Sequence, residues 1–138
     1  MAEQINALLV LTGNETLQNL AQTLKCLSVK VILARNCREA ARLLRKEGGI
    51  DLVFAGTDLP DGDWADVLGL AQQSRSYAPV IVVSRMVDVG LYLDALGRGA
   101  FDFVTPPFMT SDLAHIVRSA VYKELVSVKH DLTAPPAV

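Results

Sequence analysis

The residues with chemistry to offer gather in a few short stretches. The acidic stretch Asp51–Trp64, "DLVFAGTDLPDGDW", sets Asp58 two positions past Gly56, where an apolar run gives way to a Gly- and Pro-punctuated loop. A lone carboxylate there offers hard oxygens, too few to hold a divalent cation tightly. The bland alternative is a loop carboxylate that caps a turn or pairs with a cation. In "VIVVSR", Val80–Arg85, a hydroxyl stands beside a guanidinium at the end of a second apolar run. Thr12, Thr57, Ser84 and Arg85, with the amides at a helix start, are the parts of an anion site. Arg85 and Asp58 also have the charges to pair and lock one conformation, and the plain alternative is an arginine in solvent.

Enzyme signatures do not accompany these residues. The chain shows no Gly-rich phosphate loop, no His/Cys/Asp metal set and no nucleophile elbow. Gly97–Gly99, "GRG", reads as a helix stop, and His115 and His130 stand alone. A catalytic flavodoxin-like domain would need a cofactor site that the sequence does not offer, so the expectation is no enzyme activity. Cys26 and Cys37 lack metal-type spacing and are expected to be two reduced, packed thiols. Net charge is −2, with no broad basic field, so no direct contact with nucleic acid is expected. No apolar run approaches the roughly 18 residues of a membrane span. The start "MAEQINALLVL" lacks a basic segment and a cleavage site, so a cytoplasmic protein is expected.

Five apolar runs must position these residues, and each precedes a helical pattern. Asn6–Leu11 leads to a helix over Glu15–Cys26, with Thr12 and Glu15 at capping-box spacing. Val29–Ala34 leads to Cys37–Glu47, with Asn36 and Glu39 as a second capping pair and Gly48–Gly49 as the stop. Ile50–Ala55 leads through the acidic loop to Trp64–Gln73. Pro79–Ser84 leads to Asp88–Leu96, closed by Gly97 and Gly99. Phe101–Thr105 meets Pro106–Pro107, then a helix over Asp112–Val126 that Ser111 can cap. Its inner face is Leu113, Ile116, Val117, Ala120 and Val121.

Strands alternating with helices predict a doubly wound, flavodoxin-like α/β fold. It is a three-layer α/β/α sandwich with a five-stranded parallel sheet of order 2-1-3-4-5 and five helices. The first, third and fourth runs are nearly solid aliphatic and read as central strands. Lys30 and Asp102 mark the second and fifth as edges. In such sheets the functional crevice lies beyond the carboxyl ends of the strands, which selects Thr12, Gly13, Gly56, Thr57, Ser84 and Thr105–Pro106. One domain is expected over 1–127, with 128–138 as a polar, Pro-bearing tail or the start of a linker.

Over Asn6–Val126 the chain resembles a response-regulator receiver domain of two-component signalling. "IDLVFAGTDLPDGD", "APVIVVS" and "GRGAFDFVTPPF" resemble its third strand and loop, its fourth strand, and the stretch leading to its Lys-Pro-Phe motif. The resemblance implies a site in which two acidic residues and an acceptor aspartate hold Mg²⁺, while a Ser/Thr and a lysine hold phosphoryl oxygens. Here the acidic-pair positions carry Thr12 and Gly13, the acceptor position Gly56 and the lysine position Pro106. Ser84 alone matches. The expectation is a degenerate pseudo-receiver in which aspartyl phosphorylation and Mg²⁺ binding are lost or weak. Its partner would be a histidine kinase, an effector or a second copy.

The alternatives are an anion or small-ligand sensor in the altered crevice, or a receiver phosphorylated at a displaced Asp58. Phe103 occupies the family's switching-aromatic position, with a packed edge-strand aromatic as the plain alternative. Leu91, Tyr92 and Leu93 cannot all be buried on one helix face. An exposed Leu91/Tyr92 patch would make the fourth helix, fifth strand and fifth helix a partner or homodimer surface. Trp64 stands where the family has glycine and either covers the crevice or packs on a loop. By the same resemblance, the Pro106–Pro107 bond is expected to be cis.

Overall fold

A computed structural model describes residues 4–46, 49–74 and 77–133. Five strands form one parallel sheet: β1 (Asn6–Val10), β2 (Lys30–Ala34), β3 (Leu52–Gly56), β4 (Val80–Val83) and β5 (Asp102–Val104). Their order is β2-β1-β3-β4-β5, as the pattern predicts. Helices follow each strand: α1 (Asn14–Cys26), α2 (Cys37–Lys46), α3 (Trp64–Gln73), α4 (Val89–Gly97) and α5 (Thr110–Thr133).

The sheet is buried on both sides because successive side chains on a strand point to opposite faces. Leu8, Val10, Val53, Ala55, Val80 and Val82 pack on one side with residues of α2, α3 and α4. Ala7, Leu9, Leu52, Phe54, Ile81 and Val83 pack on the other with α1 and α5. The central strands therefore have no polar face, while edge strand β2 exposes Lys30 and Leu33. On the other edge, the Asp102 carboxylate accepts the Phe103 N–H at 2.7 Å. That occupies a main-chain donor of an edge strand and sets a charge there, which discourages strand addition.

Several local expectations change. Thr12 does not cap α1. Its hydroxyl turns to a distant carbonyl, and the cap position is Gly13, with φ 92° and no side-chain cap bond. Asn36 does cap α2, accepting the Glu39 N–H at 2.8 Å, while Glu39 Oε1 accepts the Arg35 N–H at 2.8 Å. Ser111 lies inside α5, which starts at Thr110, with the Leu113 N–H donating to the Met109 carbonyl. That helix runs past Val126 to Thr133, because neither Gly nor Pro interrupts it before Pro135. Of the expected tail, 128–133 continue the helix and 134–138 lie outside the described residues. Glu47, Gly48 and the His130 side chain lie outside them too. Cys37 is packed as expected, but Cys26 is exposed at the end of α1.

Candidate functional site

The carboxyl ends of β1, β3 and β4 bring Thr12, Gly56, Thr57, Asp58, Ser84 and Arg85 around one small crevice. It holds only about 30 Å³. Leu11 is the reason. It directly follows β1 and packs over the end of β3, 4% exposed. A Cβ on Gly56 would lie 2.8 Å from Leu11 Cδ2 and 3.5 Å from the Val10 carbonyl oxygen. The end of the Leu11 side chain thus stands where a side chain at the acceptor position would begin, and would have to shift to admit one. No spacing signals this, since Leu11 reads as one more residue of the first apolar run.

The polar groups of the crevice are turned to local use. Thr12 Oγ1 donates to the Asp58 carbonyl at 2.9 Å. Ser84 Oγ donates to the Met86 carbonyl at 2.9 Å and accepts the Met86 N–H at 3.4 Å. Arg85 is exposed and lies across the start of α1, with Nη2 3.1 Å from where a Cβ on Gly13 would sit. Asp58 is exposed, and no Asp58–Arg85 ion pair forms among the described residues, so the lock weighed for this pair is absent and Arg85 takes the exposed alternative. The guanidinium has gone over Gly13, the open side, because glycine there offers no side chain to exclude it. Pro106 follows β5 in a cis bond to Pro107, as expected, and does not line the crevice.

The acidic loop between β3 and α3 has structural employment that local sequence reading missed. Asp61 accepts the main-chain N–H groups of Cys37 at 2.8 Å and Arg38 at 3.1 Å, which caps α2 from across the fold. The Cys37 N–H bond first, and the Arg38 bond with it, hold the Asp61 carboxyl below its ordinary value. Burial, then the Asp61 charge, pushes the Cys37 thiol up to about 11. Asp63 caps α3, accepting from Ala65 and Asp66, and Asp66 returns the bond to the Asp63 N–H. No cluster of three or more His, Cys, Asp or Glu able to hold a metal occurs among the described residues.

A second surface is open. Leu91 is half-buried against the core, one turn before buried Ala95, which rotates Tyr92 and Leu93 outward. The exposed pair is therefore Tyr92 (39%) and Leu93 (61%), with Leu91 turned in. Met86, Val87 and Val89 are exposed just before them. Tyr92 meets Phe103 edge-on, with centroids 5.8 Å apart and planes at 86°. From Phe103 the surface continues into a groove of about 390 Å³ lined by Pro107, Met109, Asp112, His115 and Ile116. Trp64 packs in the core with Arg98 over its ring at 5.6 Å, and does not cover the crevice.

The family model of the response regulator receiver domain matches residues 8–118. The response regulator protein PilR of Pseudomonas aeruginosa is 35% identical over 88 residues, which are 64% of this chain and 20% of PilR. The regulatory protein AtoC of Escherichia coli is 27% identical over 129 residues, 93% of this chain and 27% of AtoC. The chain thus spans well under half the length of these curated relatives. Among solved structures, the receiver domain of a Pseudomonas aeruginosa sensor histidine kinase, with magnesium in its active-site cleft, superposes with TM-score 0.76 at 19% identity. It covers 87% of this chain and 99% of that one. No helix among the described residues is long and apolar enough to cross a membrane. With a family match that runs from within β1 to within α5 and includes the crevice, the chain belongs to the response regulator receiver domains.

Proposed function

We propose that this receiver domain has lost aspartyl phosphorylation and works as a protein-binding module, a pseudo-receiver. The observation that carries this reading is Leu11 standing 2.8 Å from where a Cβ on Gly56 would lie. The acceptor carboxylate is missing, and a side chain there would have to displace the end of Leu11. Glycine has no nucleophile, Thr12 and Gly13 bring no negative charge, and Pro106 brings no ammonium.

The residues present do not fit a Mg²⁺ ion. Such a site wants carboxylates in octahedral array with water. Here Asp58 is the one carboxylate lining the crevice, Thr12 already donates to the Asp58 carbonyl, and the Arg85 guanidinium lies over Gly13. Phosphorylation at a displaced Asp58 would lack that ion and the lysine. An anion-sensing crevice is less supported, because the crevice is small and the hydroxyls of Thr12 and Ser84 already donate to main-chain carbonyls.

Function then rests on the outer surface. Tyr92, Leu93 and Phe103 on α4 and β5, with the groove on α5, form the face for an effector, a kinase or a second copy. The receiver unit is residues 1–127, with 128–138 leading out of it, and the setting is the cytoplasm. Without phosphate to shift it, the domain stays near one end of a two-state equilibrium unless a partner biases it.

The test is incubation with acetyl phosphate and Mg²⁺, followed by intact mass and peptide mapping. The reading expects unmodified protein. A phosphoryl adduct that disappears in Asp58→Ala would overturn it.

A further inference from the structure

The charge on α2 is unlike that on the rest of the surface. In a chain of net charge −2, the stretch Arg35–Arg45 carries four arginines, all exposed. Arg38, Arg42 and Arg45 follow at i, i+4 and i+7, so they share one helix face over about 10 Å of axis. None of the four forms an ion pair among the described residues.

A solvated helix face ordinarily interleaves acids with bases, since like charges three or four residues apart destabilise the helix. This face does not. Glu39 is the one acid in α2, and its carboxylate turns back to the Arg35 main-chain N–H at 2.8 Å. Asp61 likewise takes the main-chain N–H of Arg38 and leaves its guanidinium alone. The fold therefore keeps three neighbouring guanidinium groups in mutual repulsion, with the nearby carboxylates engaged elsewhere.

We propose that this arginine stripe on α2 is a docking surface for an acidic protein segment, a helix that presents carboxylates one turn apart. The planar guanidinium fork takes a carboxylate through two parallel N–H bonds, and three forks at this spacing match acids at i, i+4 and i+7 of a facing helix. Association would relieve the repulsion and desolvate complementary charges, which favours encounter rate and register. Nucleic acid fits less well. The stripe is short, the chain is net negative, and Asp61 sits at the N-terminal end of α2, where a longer phosphate polymer would meet it. The proposal concerns a different face from the crevice and stands whether or not phosphate is bound there.

The test uses an alanine-based helical peptide with glutamates at i, i+4 and i+7, and a control of the same composition with its glutamates spread around the helix. Binding is followed by fluorescence anisotropy and by backbone amide shifts of the intact protein. The matched peptide is expected to bind saturably, shift the amides of Arg35–Arg45 and weaken with added salt. The triple variant R38Q/R42Q/R45Q, with an unchanged circular dichroism spectrum, should lose at least tenfold in affinity. Equal binding of the control, unchanged binding by the triple variant, no saturable binding, or tighter binding of duplex DNA or anionic vesicles would each overturn the proposal. Independently of any ligand, Arg42→Glu should raise the melting temperature by removing the repulsion. An unchanged or lower value would remove the premise.

Discussion

The crevice beyond β1, β3 and β4 holds about 30 Å³, while the groove along β5 and α5 holds about 390 Å³. Both lie toward the carboxyl ends of parallel strands in the same sheet. In the first, Leu11 has become core, and the hydroxyls of Thr12 and Ser84 are engaged by main-chain carbonyls. In the second, Phe103, Met109 and Ile116 remain accessible, with Tyr92 and Leu93 exposed nearby. The difference separates two things a receiver domain combines. A site for chemistry can close while a surface for partners stays open, because the sheet that builds both is held by its buried faces and not by the site.

That comparison breaks first at Leu11. If the crevice is core, Leu11→Ala should cost about 2–5 kcal/mol in urea denaturation. If it is an open cleft, the loss should stay within about 0.5 kcal/mol, as for surface positions. Gly56→Ala should cost about 1–3 kcal/mol by overpacking against Leu11, and that cost should shrink in a Leu11→Ala background because the two side chains compete for one space. Additive effects would place Leu11 elsewhere.

The acidic loop gives a pH test. Asp61 has its carboxyl held below the ordinary 3.8 by the Cys37 and Arg38 N–H groups. Its contribution is therefore fully present above that ordinary value and is lost as pH falls through the lower folded value. Asp61→Asn should flatten the acid side of the stability curve and leave the neutral side parallel to wild type. An unchanged acid limb would mean that the loop acid is not a cap. Smallest of all, Leu93→Ala should change stability by no more than about 0.5 kcal/mol. If the open face binds a second copy, the same substitution should weaken self-association in sedimentation. A large loss of stability would show that the face is structural.

Much of this was legible in the sequence. Solid aliphatic runs identify the central strands, and Lys30 and Asp102 identify the edges, because burial on two faces leaves no place for charge. The strand order follows from that topology, and of the residues it selects Thr12, Gly56, Thr57 and Ser84 line the crevice while Pro106 does not. What local pattern could not reach were long-range bonds and side-chain direction. Thr12 and Glu15 have capping spacing, yet the Thr12 hydroxyl meets a carbonyl 46 positions away. Asp61 caps a helix 24 positions earlier in the chain. Leu91 rather than Leu93 turns inward because Ala95 fixes the phase of α4, and three consecutive apolar residues do not declare which one that will be. Leu11 closes the crevice through its packing on Gly56, a contact between strands that no spacing rule encodes.

The central claim meets its most direct test in a backbone NMR titration with Mg²⁺ and beryllofluoride. Amide shifts at Gly56, Asp58, Ser84 and Phe103 are expected to stay unchanged at every concentration. Saturable shifts that start in the crevice and spread to Tyr92 on α4 would contradict the claim, because they would mean that the phosphoryl switch still operates with substitute residues.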